Sequence, residues 1–221
     1  MSPFAILSDL DGTLLDSKAS VVAAFRWWAE LRGLPADTAD RLPHGRTSTD
    51  AAAVLAPHLD ADEEGALLDR RQAEDTVGVV ALPGARELLT THERLAVVTS
   101  CPVPLARVRL RAAGLPEPRV LVTPELVRNG KPHPEPYLVA AERLDARCEE
   151  CIVVEDAPAG VQAGVAAGMR VVALLTTHRR ADLAGADAHI ATLHDLWPAV
   201  ERLRLAASTA PAPGKTACGR V

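Results

Sequence analysis

The chain has 221 residues, of which 48% are hydrophobic, and its 24 lysines and arginines against 29 aspartates and glutamates leave a formal net charge of −5. This balance excludes collagenous, fibrous and wholly disordered proteins, and its mild acidity without a basic run argues against a nucleic-acid partner. Because no apolar run approaches the roughly 20 residues that span a bilayer, we also expect no membrane partner and a cytoplasmic location.

Short runs rich in valine, isoleucine and leucine recur along the chain, and each is short enough to form a buried strand. The predicted strands are 4–8, 95–98, 120–122, 152–154 and 171–175. Between the later strands, apolar residues return at helical spacing over 103–113, 134–144 and 157–167. This alternation predicts an α/β fold, a doubly wound and mainly parallel sheet with helices on both faces. Such sheets bind ligands beyond the carboxyl ends of their strands.

The alternation is interrupted between residues 17 and 82, where no run is typical of a strand and apolar residues follow helical spacing. The helical patterns are Val21 to Trp28, 49–56 and 63–73. We therefore predict a small helical domain, 17–82, inserted into a core domain formed by 1–16 and 83–205. The last segment, 206–221, is aperiodic and rich in small residues and proline, and it is predicted to be disordered.

The first predicted strand runs directly into two carboxylates, Asp9 and Asp11, followed by Gly12. In an extended chain, residues two apart point to the same side, so both carboxylates are expected at the same end of the strand. Two carboxylates there repel each other unless a cation or a shared proton relieves them. The pair indicates a metal site or divided nucleophile and acid/base roles, and the alternative is a solvated turn with a helix-capping aspartate.

Three further segments carry polar side chains where a shared site requires them. Thr99 and Ser100 end the second predicted strand, ahead of a helix whose N-terminus offers backbone N–H groups to an anion. Lys131 lies in a stiff loop of glycine and proline. Glu155 and Asp156 end the fourth predicted strand, before a helix rich in small residues.

The order D-x-D-G-T, a strand-ending Thr-Ser, G-K-P and E-D-A-P-A-G resembles the four motifs of the haloacid dehalogenase superfamily, in its branch with a small helical cap. The resemblance covers the chain from about residue 5 to residue 199. It implies a Rossmann-like core, with Asp9 as the nucleophile and Asp11 as the general acid/base. It also implies that Thr99 and Lys131 hold the phosphoryl group that is transferred.

The same resemblance implies that Mg²⁺ is the cofactor. The ion is expected on Asp9, Asp156 and the carbonyl of Asp11, with Glu155 beside them, an oxygen-only set that this cation prefers. The implied reaction is hydrolysis of a phosphate monoester through an aspartyl-phosphate intermediate.

Other reactions of the family fit the residues less well. Relatives that displace halide lack the second aspartate, whereas this chain has Asp11. Relatives that cleave phosphonates use a cap lysine, and the insertion contains only Lys18, at its hinge. Hexose-phosphate mutases resembling β-phosphoglucomutase carry a cap histidine where this chain has Val21, and such a mutase is the main alternative. A pseudoenzyme that binds phosphate or a protein is a second alternative, disfavoured by the complete motif set.

Several segments look most like those of glycerol-phosphate and 2-deoxyglucose-6-phosphate phosphatases, which implies a small phosphorylated sugar or polyol as the substrate. In the cap, His44, Gly45 and Arg46 lie between two predicted helices, and we expect them to contact substrate together with Ser100. Glycine lets the backbone come close to a ligand, while the arginine and histidine offer hydrogen bonds. The expected oligomeric state is a monomer or a weak homodimer.

Overall fold

The computed structural model describes residues 4–41 and 45–209, with side chains described up to residue 205. His44 and residues 210–221 of the predicted disordered tail lie outside the described residues. The strands, in chain order, are β1 (Ala5–Ser8), β2 (Leu15–Asp16), β3 (Val80–Ala81), β4 (Leu95–Val98), β5 (Val120–Val122), β6 (Cys151–Glu155), β7 (Arg170–Leu174) and β8 (Ala188–Ile190). The α-helices are α1 (Lys18–Leu31), α2 (Ser48–Leu55), α3 (Ala61–Glu74), α4 (Ala85–Thr91), α5 (Val103–Ala112), α6 (Glu135–Arg143), α7 (Pro158–Ala166) and α8 (Leu196–Thr209).

Six strands form a parallel sheet in the order β5-β4-β1-β6-β7-β8. The central strand β1 pairs Leu7 with Ala96 of β4 on one side and with Val153 of β6 on the other. Every residue of these three strands is buried, as expected for a parallel sheet with both faces covered. The predicted doubly wound α/β fold is confirmed.

Helices pack on both faces of this sheet. Leu110 of α5 and Leu196 of α8 belong to the same apolar cluster as Ile6, whereas Tyr137 of α6 belongs to the cluster of Leu7. Ile6 and Leu7 are successive residues of one strand, so their side chains point to opposite faces of the sheet. The two clusters are therefore the two apolar layers of a three-layer core.

The strand order opens a crevice between β1 and β6. Along the chain, β1 is followed in this sheet by β4, which lies on one side of it. The strand β6 is followed by β7, which lies on the opposite side. Ligand crevices in open α/β sheets form where neighbouring strands connect in opposite directions, at the carboxyl ends. Ser8 and Glu155 end these two strands, so the residues that follow them face the crevice.

The three helices α1, α2 and α3, called the cap helices below, share a separate apolar cluster that contains Phe25, Trp28 and Leu68. All three helices were predicted. The prediction that 17–82 contains no strand is wrong, because β3 lies in this range and pairs with β2 in an antiparallel two-stranded ribbon. This ribbon has two residues per strand and Val80 is 54% exposed, so it has no buried apolar pattern in the sequence.

Two further differences concern the C-terminal part of the chain. The sheet has an additional edge strand, β8, whose three residues include His189 and are too short and polar for periodicity to detect. The last helix, α8, ends at Thr209, four residues into the segment 206–221 that is predicted to be disordered. Ala206 and Ala207 are strong helix formers and extend the helix that begins at Leu196. Within the described residues, no helix has the length and apolarity needed to cross a membrane.

Candidate active site

A buried lysine joins two carboxylates at the carboxyl ends of β1 and β6. Lys131 Nζ lies 2.6 Å from Asp9 Oδ1 and 2.6 Å from Glu155 Oε1, and it also donates to the Val98 carbonyl at 3.0 Å. The Lys131 side chain is 1% exposed, and Asp9 and Glu155 are also buried. An isolated ammonium group would be costly here, so the two carboxylates hold the lysine in its charged form.

The Glu155 carboxylate is surrounded by protein donors on both oxygens. Besides Lys131, the hydroxyl of Tyr137 donates to Oε1 at 2.8 Å. The backbone N–H groups of Asp156 and Ala157 donate to Oε2 at 3.1 and 3.2 Å. Tyr137 is the single tyrosine of the sequence and its participation was not predicted, because it lies in an apolar helix six residues after the lysine.

The Asp156 carboxylate is held by two threonines from different loops. Thr13 Oγ1 donates to Oδ1 at 3.1 Å, and Thr177 Oγ1 donates to Oδ2. The hydroxyl of Thr177 also lies 2.9 Å from the Asp156 carbonyl oxygen. Thr177 follows β7 and has no distinctive sequence motif, so sequence analysis missed it. These contacts fix the carboxylate beside Asp9.

Asp9, Glu155 and Asp156 form a buried acidic cluster in which one carboxylate oxygen of each lies within 4.8 Å of the others. Burial raises the pKa of Asp9 well above its ordinary range, Lys131 opposes the shift, and Glu155 and Asp156 add to it. Burial and the neighbouring Glu155 raise the pKa of Asp156 to about 7. Carboxylates that are this poorly stabilised as anions fit a divalent cation, because oxygen ligands of this kind bind hard ions such as Mg²⁺.

The carboxylate of Asp11 does not join this cluster. Its Oδ1 lies 2.6 Å from Ser17 Oγ and 2.8 Å from Arg109 Nη1, and its Oδ2 lies 3.1 Å from Cys101 Sγ. Asp9 and Asp11 both line the cavity beyond the carboxyl end of β1, as expected, but their carboxylates have different partners. The strand ends at Ser8, so its alternation does not extend to Asp11, which lies in the following turn.

Thr99 and Ser100, the second motif, lie where the core meets the loop that precedes α2. Thr99 Oγ1 accepts a hydrogen bond from the Cys101 backbone at 3.1 Å. The Ser100 hydroxyl donates to the carbonyl of Gly45 at 2.9 Å. Gly45 has a φ of +79°, and a Cβ atom there would lie only 2.9 Å from the Cβ of Ala157. We expected the Gly45 backbone to come close to a ligand. In the structure it comes close to Ala157, the core residue that precedes α7.

A cavity of about 120 Å³ lies between the sheet end and the cap helices. Most of the predicted site residues line it, namely Asp9, Asp11, Gly45, Arg46, Thr99, Ser100 and Asp156. Lys131 and Glu155 do not line the cavity, and they lie buried against Asp9 and its neighbours. Gln72, Cys101 and Arg109 also line it and were not predicted, because each belongs to a helix or loop without a recognisable motif.

This arrangement of motifs is shared with a known family. Residues 5–168 match the model of haloacid dehalogenase-like hydrolases. The chain belongs to this family. The enzyme class predicted from the motifs, a phosphoric monoester hydrolase, is confirmed by this membership and by the phosphatases among its relatives.

Two curated relatives of this haloacid dehalogenase-like hydrolase are phosphatases. Hexitol phosphatase A of Escherichia coli is 43% identical over 175 residues, which cover 76% of this chain and 81% of the relative. Glycerol-1-phosphate phosphohydrolase 2 of Saccharomyces cerevisiae is 33% identical over 190 residues, which cover 78% of this chain and 75% of the relative.

Solved structures agree with the fold. A hydrolase from Pseudomonas syringae superimposes with a TM-score of 0.79 at 28% identity, covering 90% of this chain and 99% of that one. A β-phosphoglucomutase from Clostridium difficile has a TM-score of 0.75 at 18% identity, covering 91% of this chain and 98% of that one. The second likeness shows the fold alone.

Gly160 gives a direct test of the Glu155 position in this hydrolase. A Cβ atom at Gly160 would overlap the Glu155 carboxylate, which four donors hold in place. We expect Gly160→Ala to lower the free energy of unfolding by about 1–3 kcal/mol, more than the 0.5–1 kcal/mol that alanine contributes within a helix. The measurement is the urea midpoint together with phosphatase activity, which should fall as Lys131 loses its anchor.

The matched control is Gly185→Ala. A Cβ atom at Gly185 would meet its nearest neighbour, Val161 Cγ1, at an ordinary 3.5 Å. This change should leave both the midpoint and the activity nearly unaltered, within about 0.5 kcal/mol. A Gly160→Ala protein as stable and active as the Gly185→Ala protein would show that the Glu155 carboxylate is not held as described.

Proposed function

We propose that this hydrolase is a magnesium-dependent phosphatase that acts on a small phosphorylated sugar or polyol through an aspartyl-phosphate on Asp9. The observation that carries the proposal is the separation of the two motif carboxylates. Asp9 lies buried beside Lys131 and Asp156, whereas Asp11 faces the cavity and the residues near the cap. This separation supports attack on phosphorus by Asp9 and proton transfer by Asp11 to the group that leaves.

In the first step, a carboxylate oxygen of Asp9 attacks phosphorus and the bond from phosphorus to the sugar or polyol oxygen breaks. Asp11 gives its proton to that oxygen, so that an alcohol leaves. Thr99 lines the cavity beside Asp9 and is assigned to the phosphoryl oxygens, and Lys131 helps to keep Asp9 ionised.

In the second step, a water molecule attacks the phosphorus of the aspartyl-phosphate. Asp11, now ionised, takes the proton from this water, and the bond between phosphorus and Asp9 breaks to release inorganic phosphate and the free carboxylate. Asp9, Asp156 and the backbone carbonyl of Asp11 would hold Mg²⁺, which when bound offsets the repulsion between carboxylates and phosphate. Glu155 is assigned to positioning Lys131, since both of its oxygens accept bonds from the protein.

The substrate class is supported by the cavity and by the relatives. The cavity is small, and its cap side offers the hydrogen-bonding guanidinium of Arg46 beside apolar Val21 and Phe25. Such a mixture suits a short chain of hydroxyl-bearing carbons. Relatives that are named for hexitol and glycerol phosphates make polyol phosphates the first substrates to test.

Val21 favours water over a second sugar as the acceptor of the phosphoryl group. It lines the cavity at the position where mutases of this family carry a histidine, and a valine can neither donate nor accept a proton. A hexose 1-phosphate should therefore give inorganic phosphate and free sugar. Dominant formation of the 6-phosphate isomer would instead support a mutase.

The experiment that tests the function is a measurement of phosphate release with Mg²⁺ over hexitol, glycerol, hexose and nucleotide monophosphates. We expect the highest kcat/KM for a polyol or sugar phosphate. Comparable rates on nucleotides would contradict the substrate class. Release of phosphate from none of the compounds would contradict the phosphatase itself.

Arg46 is the cap residue that we expect to select the substrate. It is exposed at the cavity edge, two residues before α2 begins. If it makes charge-assisted hydrogen bonds to substrate hydroxyls, Arg46→Ala should lower kcat/KM for the best polyol phosphate about 10- to 150-fold. para-Nitrophenyl phosphate has no hydroxyls to contact and should lose much less.

The control variant is Arg41→Ala, because Arg41 is an exposed arginine that pairs with Asp37 at 3.5 Å and does not line the cavity. It should keep the activity of the unaltered protein on both substrates. Equal losses on the two substrates in Arg46→Ala would show that Arg46 supports folding or cap docking and does not select the substrate.

A further inference from the structure

We propose that Arg109 is a positioning residue for Asp11, and that Gln72 of the cap helices fixes Arg109 so that Asp11 is held in place only while the cap is docked on the core. This inference rests on the proposed function, in which Asp11 transfers the protons. It assigns a role to two buried residues that carry no motif of the family and that sequence analysis did not single out.

Arg109 joins three parts of the chain through one guanidinium group. It projects from α5 in the core, and its side chain is 3% exposed. Nη1 lies 2.8 Å from Asp11 Oδ1, and Nη2 lies 2.6 Å from Gln72 Oε1 on α3. Because a guanidinium is planar, the direction of one bond fixes the direction of the other.

The charge pattern makes the pair with Asp11 necessary. Arg109 is buried, and its Nη1 lies 2.8 Å from Asp11 Oδ1 and 2.7 Å from Cys101 Sγ, so Asp11 is the carboxylate that pairs with the guanidinium. A buried cation without a partner is strongly unfavourable, so Arg109 and Asp11 hold each other. The other groups that contact the Asp11 carboxylate among the described residues, Ser17 and Cys101, are an uncharged hydroxyl and a thiol whose pKa burial raises.

Gln72 is itself held so that its carbonyl oxygen faces Arg109. Its Nε2 donates to Ser48 Oγ and to the Leu68 carbonyl, each at 3.2 Å. These two contacts determine the orientation of the amide, and they come from α2 and α3, which pack against each other in the cap. Movement of the cap away from α5 would remove the acceptor of Arg109 Nη2 and release the guanidinium that holds Asp11.

Arg109 Nε, which binds neither Asp11 nor Gln72, also supports a functional role for this arginine. Within the described residues, Arg109 Nε is buried and has no hydrogen-bond partner, although the residue lines the cavity. An unpaired buried donor is costly in a folded protein, and each such group calls for an explanation. Stability alone therefore gives no reason to place an arginine here.

The test separates the two chemical steps with para-nitrophenyl phosphate and Mg²⁺ in stopped flow. Nitrophenolate leaves without a proton, so the first step does not need Asp11, whereas the attack of water still does. Asp11→Asn should release about one nitrophenolate per enzyme in a burst and then turn over slowly. Arg109→Met should show the same burst, with the steady rate lowered at least about 10-fold.

Three further variants sharpen the result. Arg109→Lys keeps the charge and should recover part of the steady rate. Gln72→Met should also give the burst, with a smaller loss of the steady rate than Arg109→Met. The double variant should be no slower than Arg109→Met alone, because both residues act through one contact. Arg107→Met is the matched control, because Arg107 is half exposed on the same helix and pairs with Glu117 at 2.8 Å. It should behave like the unaltered protein.

The outcomes distinguish the inference from the proposed function. Suppose that Asp11→Asn gives the burst and that Arg109→Met is folded. If Arg109→Met then slows both the burst and the steady rate, or slows neither of them, Arg109 does not position Asp11. If Asp11→Asn leaves the kinetics unchanged, the proposed function itself is wrong. Should Arg109→Met not fold, as judged by its thermal transition, Arg109→Lys and Gln72→Met decide the question by the same burst criterion.

Discussion

Asp9→Asn is expected to lower phosphatase turnover at least about 10³-fold while leaving the protein folded. The change is nearly isosteric and removes the charged oxygen that attacks phosphorus. Stability should not fall, because the pKa of Asp9 is raised by burial and Lys131 keeps its second partner, Glu155. The measurements are steady-state kinetics on a polyol phosphate and the thermal transition of the variant.

Mass spectrometry gives an independent readout of the same assignment. A quenched reaction of the unaltered protein should carry a phosphoryl group on the peptide that contains Asp9, and the Asp9→Asn protein should carry none. The control is Asp62→Asn, which makes the same chemical change at an exposed position of α3. Turnover of Asp9→Asn within tenfold of this control would remove Asp9 from the nucleophile role.

Removal of divalent cations is expected to reduce activity to background, and Mg²⁺ is expected to restore it. Asp9 and Asp156 have raised pKa values because burial and neighbouring carboxylates destabilise their anions, so the phosphate dianion needs a cation to enter this site. Mg²⁺ should also stabilise the folded protein, by about 2.7 kcal/mol at a concentration 100 times its Kd. Thermal transitions with and without the ion measure this gain.

The cation should also bind more weakly at low pH. A metal ligand must be ionised, and the pKa of Asp156 is about 7, so protons compete with Mg²⁺ as the pH falls through this value. Asp156→Asn should abolish both the thermal gain and the activity, whereas Glu93→Gln, at an exposed position outside the cavity, should change neither. Full activity in excess chelator would contradict the metal assignment.

The roles proposed for Arg46 and Arg109 would link substrate selection to proton transfer through the cap. Ser100 holds the carbonyl of Gly45, and Gln72 holds Arg109, so the cap is joined to the core on two sides of the cavity. Arg46 projects from the same loop as Gly45. A substrate that contacts this loop would therefore favour the docked cap, in which the acid/base residue is fixed.

Local patterns in the sequence were sufficient for five of the six strands of the parallel sheet, the cap helices and the four motifs. The central strands are continuous apolar runs because both faces of a parallel sheet are buried, and each motif is a short segment at the end of such a strand. Parallel strands bring their carboxyl ends to one edge. The meeting of Asp9 with Asp156 follows from that rule, since each residue comes directly after the end of a strand. Lys131 lies nine residues after the end of β5, and its place beside Asp9 was implied by the family resemblance.

Other features depend on how distant elements pack, and no local pattern contains them. Arg109 and Gln72 lie on two helices that periodicity detects, but their contact exists only because α3 docks against α5. Asp11 turns away from Asp9 because its partners, Arg109 and Cys101, come from another segment, 90 or more residues away. Burial and charge pairing across such distances are properties of the folded chain, so the positions of Asp11, Glu155 and Arg109 required the tertiary structure.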